Sequence, residues 1–152
     1  MHPVGVIGTV GLLATVAAWP LCAQQPTALD SAVAGCYALT WASDSNRHAP
    51  APDTIALTLL PAQWPPQYFG VRADAGWEGR NGPYSTIHFY WGHRADTVFV
   101  SMTNGFSGVG LLALPTATGL RGIARYGSDN VAEPLRLWWK VEARRTACLG
   151  FR

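Results

Sequence analysis

Eight segments of this chain alternate apolar and polar residues with a period of two, and that repetition limits its fold more than any other feature. A strand with one buried face needs a period of two, whereas an amphipathic helix needs about 3.6. Gly35–Ala42 sets Tyr37, Leu39 and Trp41 on one face, and Thr54–Leu60 groups Ile55, Leu57 and Leu59. Tyr68–Asp74 places Phe69 and Val71 together, and Tyr84–Trp91 aligns Ile87, Phe89 and Trp91 against His88 and Tyr90. Asp96–Thr103 aligns Val98, Val100 and Met102, and Gly108–Leu114 aligns Val109, Leu111 and Ala113. Leu120–Tyr126 sets Leu120, Gly122, Ala124 and Tyr126 against Arg121 and Arg125. The cleanest alternation is Leu135–Ala143, with Leu135, Leu137, Trp139, Val141 and Ala143 opposite Arg136, Lys140, Glu142 and Arg144.

Between these segments lie turn formers. They include the Pro-rich Ala49–Pro52, Pro61 with Pro65 and Pro66, the Gly-rich Gly76–Pro83, Gly92–Ala95, Asn104-Gly105, Pro115–Gly119 and Gly127–Asn130. Asn-Gly is the strongest of these hairpin signals, and the short connections after Gly92 predict a meander of the last five strands. The one helical candidate is Thr27–Ala34, a turn of helix leading into the first strand. The reading is all-β, with eight antiparallel strands either closed as an up-and-down barrel or folded as a sandwich. Closure is favoured because it removes the two exposed edges. Charged residues are only 13% of the chain, half the usual share of about 25%, so there is ample apolar surface for a core and disorder is excluded. A net charge of +2 gives no footprint for nucleic acid.

Residues 4–19 carry no charge, Pro20 follows, and Leu21-Cys22-Ala23 ends on a small residue. That order is expected of a secretory signal peptide over 1–23; an uncleaved membrane anchor is the competing reading. Cleavage leaves a lead-in over 24–34, a single domain over 35–152, and no stable membrane span. It also leaves two cysteines, Cys36 and Cys148, which in an oxidising compartment are expected to pair rather than stay as buried thiols. The secreted or periplasmic space is the compartment this implies. Such a bond makes the first and last elements neighbours, as closure of a barrel also requires.

The segment Gly35-Cys36-Tyr37 at the entry to strand one, with Arg144 or Arg145 at the end of the last strand, resembles the lipocalin and wider calycin barrels. The family carries Gly-x-Trp at that entry, where this chain has Tyr37. The resemblance implies an eight-stranded barrel over residues 35–148 whose terminal Arg packs over the entry aromatic and closes the base. It also implies a carrier of small ligands.

Little else in the sequence carries chemistry. Gly105-Phe106-Ser107-Gly108-Val109 ends on Val where a nucleophile elbow needs Gly, and it sits at a hairpin. His88 and His93 are five apart, so on one strand they point to opposite faces; His88 reads as outward and His93 as a turn residue. His48 lies in a loop. The acids Asp44, Asp53, Asp74, Glu78, Asp96, Asp129 and Glu133 fall mostly at strand ends or turns, where Asp suits turn geometry. No enzyme, metal or cofactor is expected. Spanning the outer membrane as a barrel is disfavoured by strands shorter than about 9–11 residues and by Arg121, Arg125, Lys140 and Glu142 on the outward face. What remains is a convergence of rings. Tyr37, Trp41, Phe89, Trp91, Met102, Tyr126 and Trp139 share the inward face, with Gly122, Ala113, Ala124 and Ala143 as small residues leaving room beside them. These seven are the expected lining of a site for a small apolar or aromatic ligand, with the Tyr37 and Tyr126 hydroxyls as anchors. The alternative is a filled core in a protein that acts on a partner through Trp64, Trp77 and Trp138, placed in loops or facing outward.

Overall fold

A computed structural model describes residues 25–42, 51–74, 77, 88–104, 107–128, 137–149 and 151. The expected signal segment 1–23, His48, residues 84–87 and 135–136 of two expected strands, and residues 105–106 of the Asn-Gly hairpin lie outside the described residues.

One short helix, α1 (Ala28–Val33), precedes eight strands: β1 (Gly35–Ala42), β2 (Thr54–Pro61), β3 (Phe69–Ala73), β4 (His88–Arg94), β5 (Thr97–Thr103), β6 (Ser107–Thr116), β7 (Gly119–Ser128) and β8 (Leu137–Thr146). Each pairs antiparallel with the next, and β1 pairs with β8, so the sheet is a closed up-and-down barrel. Closure runs over seven registered positions from Cys36↔Thr146 to Ala42↔Lys140. The Cys36–Cys148 disulfide, with Cα atoms 5.2 Å apart, bonds the start of β1 to the residues just past β8.

The alternation works as physics requires. Val98, Val100 and Met102, then Val109, Leu111 and Ala113, then Trp139, Val141 and Ala143 are all buried, while the residues between them face out. Burying one face against the opposite wall supplies the hydrophobic drive and fixes the register, since a one-residue slip would turn every core side chain outward. Two elements depart from the pattern. The β2–β3 register shifts between Leu57 and Pro61, and past that bulge Leu59 leaves the core for the surface. On β4 the strand continues through His93 to Arg94, so the expected Gly92–Ala95 turn is replaced by Ala95-Asp96, with Ala95 in the left-handed region at φ 53°.

Antiparallel order sorts the ends. At the base lie α1, the β2–β3 connection, Ala95-Asp96, Ala117-Thr118 and the disulfide. Around the opposite mouth stand the start of β4 and β8 and the ends of β1, β3, β5 and β7. Helix α1 seals the base. Thr27 caps it and Asp30 closes the reciprocal capping box, an arrangement that satisfies two orphan N–H groups at the helix start. Val33 is buried in the barrel core.

Candidate functional site

The seven expected ligand-binding residues are on the core side of the wall, but they divide into three groups. Tyr37 belongs to the base. Its hydroxyl donates to the Val33 carbonyl, Arg145 lies 5.5 Å over its ring, and the Arg145 guanidinium donates to the Ala32 carbonyl. Arg145, rather than Arg144, is the cation over the entry aromatic. Gly35 sits at φ +148°, and a Cβ there would come 3.1 Å from the Arg145 guanidinium, so only glycine gives both the backbone angle and the space. Burial pushes the Tyr37 phenol above its ordinary range, with the nearby Arg145 charge and hydrogen bond pulling it down. With its hydroxyl donating to the Val33 carbonyl, Tyr37 ties the base of the barrel to α1.

The second group lines the middle of the barrel. Trp91 registers with Val100, then Leu111, Ala124 and Trp139, four strand steps that carry the row to the opposite wall. One layer toward the mouth, Phe89 registers with Met102, then Val109 and Tyr126. Trp91 is fully buried, tilted against Phe69 with centroids 5.3 Å apart, and its indole N–H donates to the Thr58 carbonyl at 2.8 Å. Trp139 and Met102 are buried, and Tyr126 is half-buried against the same core. Trp41, near the mouth, makes the third group. It is half-buried, and its indole N–H donates to the Pro52 carbonyl at 3.1 Å.

The small residues do not all leave room. A Cβ on Gly122 would lie 2.0 Å from the Leu112 carbonyl oxygen, so that glycine permits a close backbone approach of β6 and β7. Trp77 is also not an outward loop residue. It is buried, with its ring 5.3 Å from Phe89. Asp74 turns it inward by accepting the Trp77 N–H on Oδ1 at 2.9 Å and the Asp53 N–H on Oδ2 at 3.0 Å. The Asp-x-x-Trp spacing was the signal for this side-chain cap. Trp64 and Trp138 are exposed as expected.

His93 stands in β4 rather than in a turn, and it faces α1. Its Nδ1 lies 2.9 Å from the Ala95 carbonyl oxygen, and Nε2 lies 3.4 Å from Asp30 Oδ1 and 3.3 Å from Thr27 Oγ1. Asp30 is fully buried, and its Oδ1 has no hydrogen-bond partner among the described residues. The imidazole is therefore the group that faces this carboxylate oxygen and ties α1 to the wall.

A cleft lies on the side of the barrel, over the β3–β4 seam. Among the described residues the β3–β4 ladder registers at only Phe69↔Trp91 and Gly70↔Tyr90, the shortest pairing described around the barrel. There, beside the β2 bulge, the cleft of about 400 Å³ is lined by Thr58, Leu60, Gln63, Gly70 and Arg72, with the buried residues Val71 and Phe89 at its floor. The Thr58 hydroxyl in its wall donates to the Gly70 carbonyl at 3.1 Å. The cleft was invisible in the sequence because a bulge and an early ladder end created it. Among the described residues, no group of three His, Cys, Asp or Glu side chains is placed to hold a metal, and no helix is long and apolar enough to cross a membrane. Neither known protein families, nor curated proteins, nor solved structures give a match to this chain.

Proposed function

We propose that this barrel is an exported, non-enzymatic carrier, similar in plan to the lipocalin and calycin barrels, that takes a small apolar or aromatic ligand at the β3–β4 seam. The observation that carries this reading is the cleft of about 400 Å³ over the β3–β4 seam, within the roughly 300–1,000 Å³ of small-molecule sites. Its chemistry favours a molecule with an apolar body against Leu60, Val71 and Phe89 and a polar head beside Thr58, Gln63 and Arg72. The uncharged N-terminal run and the disulfide support export to an oxidising compartment. Of the seven expected lining residues, Phe89 borders the cleft, Trp91 sits behind it in the core, and Tyr37 has no part in it.

The test is saturable quenching of tryptophan fluorescence by a panel of fatty acids, retinoids, tetrapyrroles and flavins. It is repeated on Gly70→Leu, whose new side chain fills the cleft and meets the movable Thr58 hydroxyl first, at 3.2 Å. Binding by at least one class, lost in Gly70→Leu while the fold is kept, supports the carrier. If no panel member saturates, the fully buried rings and the exposed Trp64 and Trp138 favour the alternative, a partner-binding protein with a filled core.

A further inference from the structure

The outer wall of β6–β8 carries large apolar side chains on its surface. Leu112, Leu114, Ile123 and Trp138 are all large and apolar, and all lie between 44% and 55% exposed. They are contiguous. Leu112 registers with Ile123 and Ile123 with Lys140, Leu114 registers with Arg121, and Arg125 registers with Trp138. With strands about 4.8 Å apart, these side chains form one patch. Four cations, Arg121, Arg125, Lys140 and Arg144, are set among them, with Arg125 lying 5.8 Å over the Trp138 ring. The only carboxylate described on this wall is Glu142, bound by Arg121 at 2.7 Å and by Arg144 at 3.8 Å, so the wall keeps three positive charges in excess. At its base end, between the β6–β7 turn and β8, a cleft of about 340 Å³ is lined by Thr116, Thr118, Arg121, Glu142 and Arg144.

We propose that this wall docks on the surface of an anionic lipid membrane. Half-exposed Trp, Ile and Leu tips suit shallow insertion among acyl chains, and interleaved Arg and Lys suit phosphate headgroups. The polar cleft beside Arg121 and Arg144 has room for one such headgroup. Two features separate this occupant from others. The wall's positive excess complements an anionic surface, whereas two copies of the wall set face to face would repel. Arg125 and Lys140 stand mid-strand, which suits lying on a bilayer and disfavours crossing it. The inference is independent of the carrier reading.

The test is co-sedimentation of the full chain with vesicles of phosphatidylcholine, with and without phosphatidylglycerol, at low and raised salt. Two surface double variants are compared with it, Arg125→Ser with Lys140→Ser and Ile123→Ser with Trp138→Ser. The expected result is a preference for anionic vesicles that weakens with salt. It should fall about 25-fold in the charge variant, at about fivefold per cation, and at least about tenfold in the apolar variant. Because residues 4–19 are themselves apolar, a local readout accompanies the partition: brominated lipid should quench the wild type more than Trp138→Phe. Equal quenching of the two, or binding that neither double variant alters, overturns the proposal. Self-association that Ile123→Ser with Trp138→Ser abolishes, without vesicle binding, also overturns it and assigns the wall to a second copy of the chain.

Discussion

Replacing Trp91 by Ala tests whether the middle of the barrel is packed or hollow. The indole is fully buried, rests on Phe69 at 5.3 Å and donates to the Thr58 carbonyl at 2.8 Å. Deleting a ring packed on every side costs about 3–5 kcal/mol, since the neighbours close the void only in part. The Thr58 oxygen is then left without its donor, which adds about 1 kcal/mol or more. Against a total stability of about 5–15 kcal/mol for a domain of this kind, Trp91→Ala should remove about a quarter or more. Trp91→Phe keeps most of the ring but loses the N–H, and should fall well below that cost. Trp138→Ala, on the surface, should stay within about 0.5 kcal/mol. Urea denaturation followed by far-ultraviolet circular dichroism gives all three without relying on tryptophan as reporter, and an unchanged m-value certifies the comparison. A loss under about 2 kcal/mol for Trp91→Ala would refute the reasoning, because it would mean that one side of the ring already borders empty space.

Other consequences are as direct. The buried Tyr37 phenol titrates above its ordinary range, so the folded state holds that proton more tightly than the unfolded chain does. The stability tied to it is complete below pH about 10 and is lost as pH rises through the folded value. Tyr37→Phe should flatten that alkaline limb in thermal melts while costing about 1 kcal/mol for the hydrogen bond to Val33; an unchanged limb would count against the assignment. Reducing Cys36–Cys148 opens a link across 112 residues and should cost about 4–5 kcal/mol on the chain-entropy account, whereas coincident urea midpoints with and without reductant would contradict it. Gly122→Ala drives a methyl into the Leu112 carbonyl and should destabilise by about 1–3 kcal/mol. Gly127→Ala, with nothing within 4 Å of the new atom, should be neutral or slightly stabilising in the same denaturation assay. His93→Ala strips Asp30 Oδ1 of the ring that faces it and should cost about 1–3 kcal/mol, read as a lower melting temperature.

The strands were legible because each of the eight has one buried face, and burial writes a period of two into the residues themselves. The terminal link was legible because, of the three cysteines, Cys22 falls in the expected signal segment and the other two leave one pairing. What the residues did not reveal depends on geometry between elements. The β4–β5 turn falls at Ala95-Asp96, with Ala95 at a positive φ that Asn or Gly would ordinarily advertise. Leu59 continues the alternation in the text but loses its inward place to the bulge before Pro61. Trp77 was hidden because its position is set by the Asp74 carboxylate and not by periodicity. The rings of the candidate site were legible as inward residues. The cleft beside them was not, since it arises where β3 and β4 stop pairing.

Closure through β1 and β8 also sets an order of events. In a meander each strand can zip onto the one made just before it, but Gly35–Ala42 has to wait for Leu137–Thr146, about a hundred residues later. Until then the chain carries two open edges, one at its earliest strand and one at whichever strand was added last, and open edges recruit other chains. Contacts so distant in sequence are slow to form. A chain that ends before Leu137 therefore remains a ribbon that cannot become a cylinder, however well its first seven strands have paired.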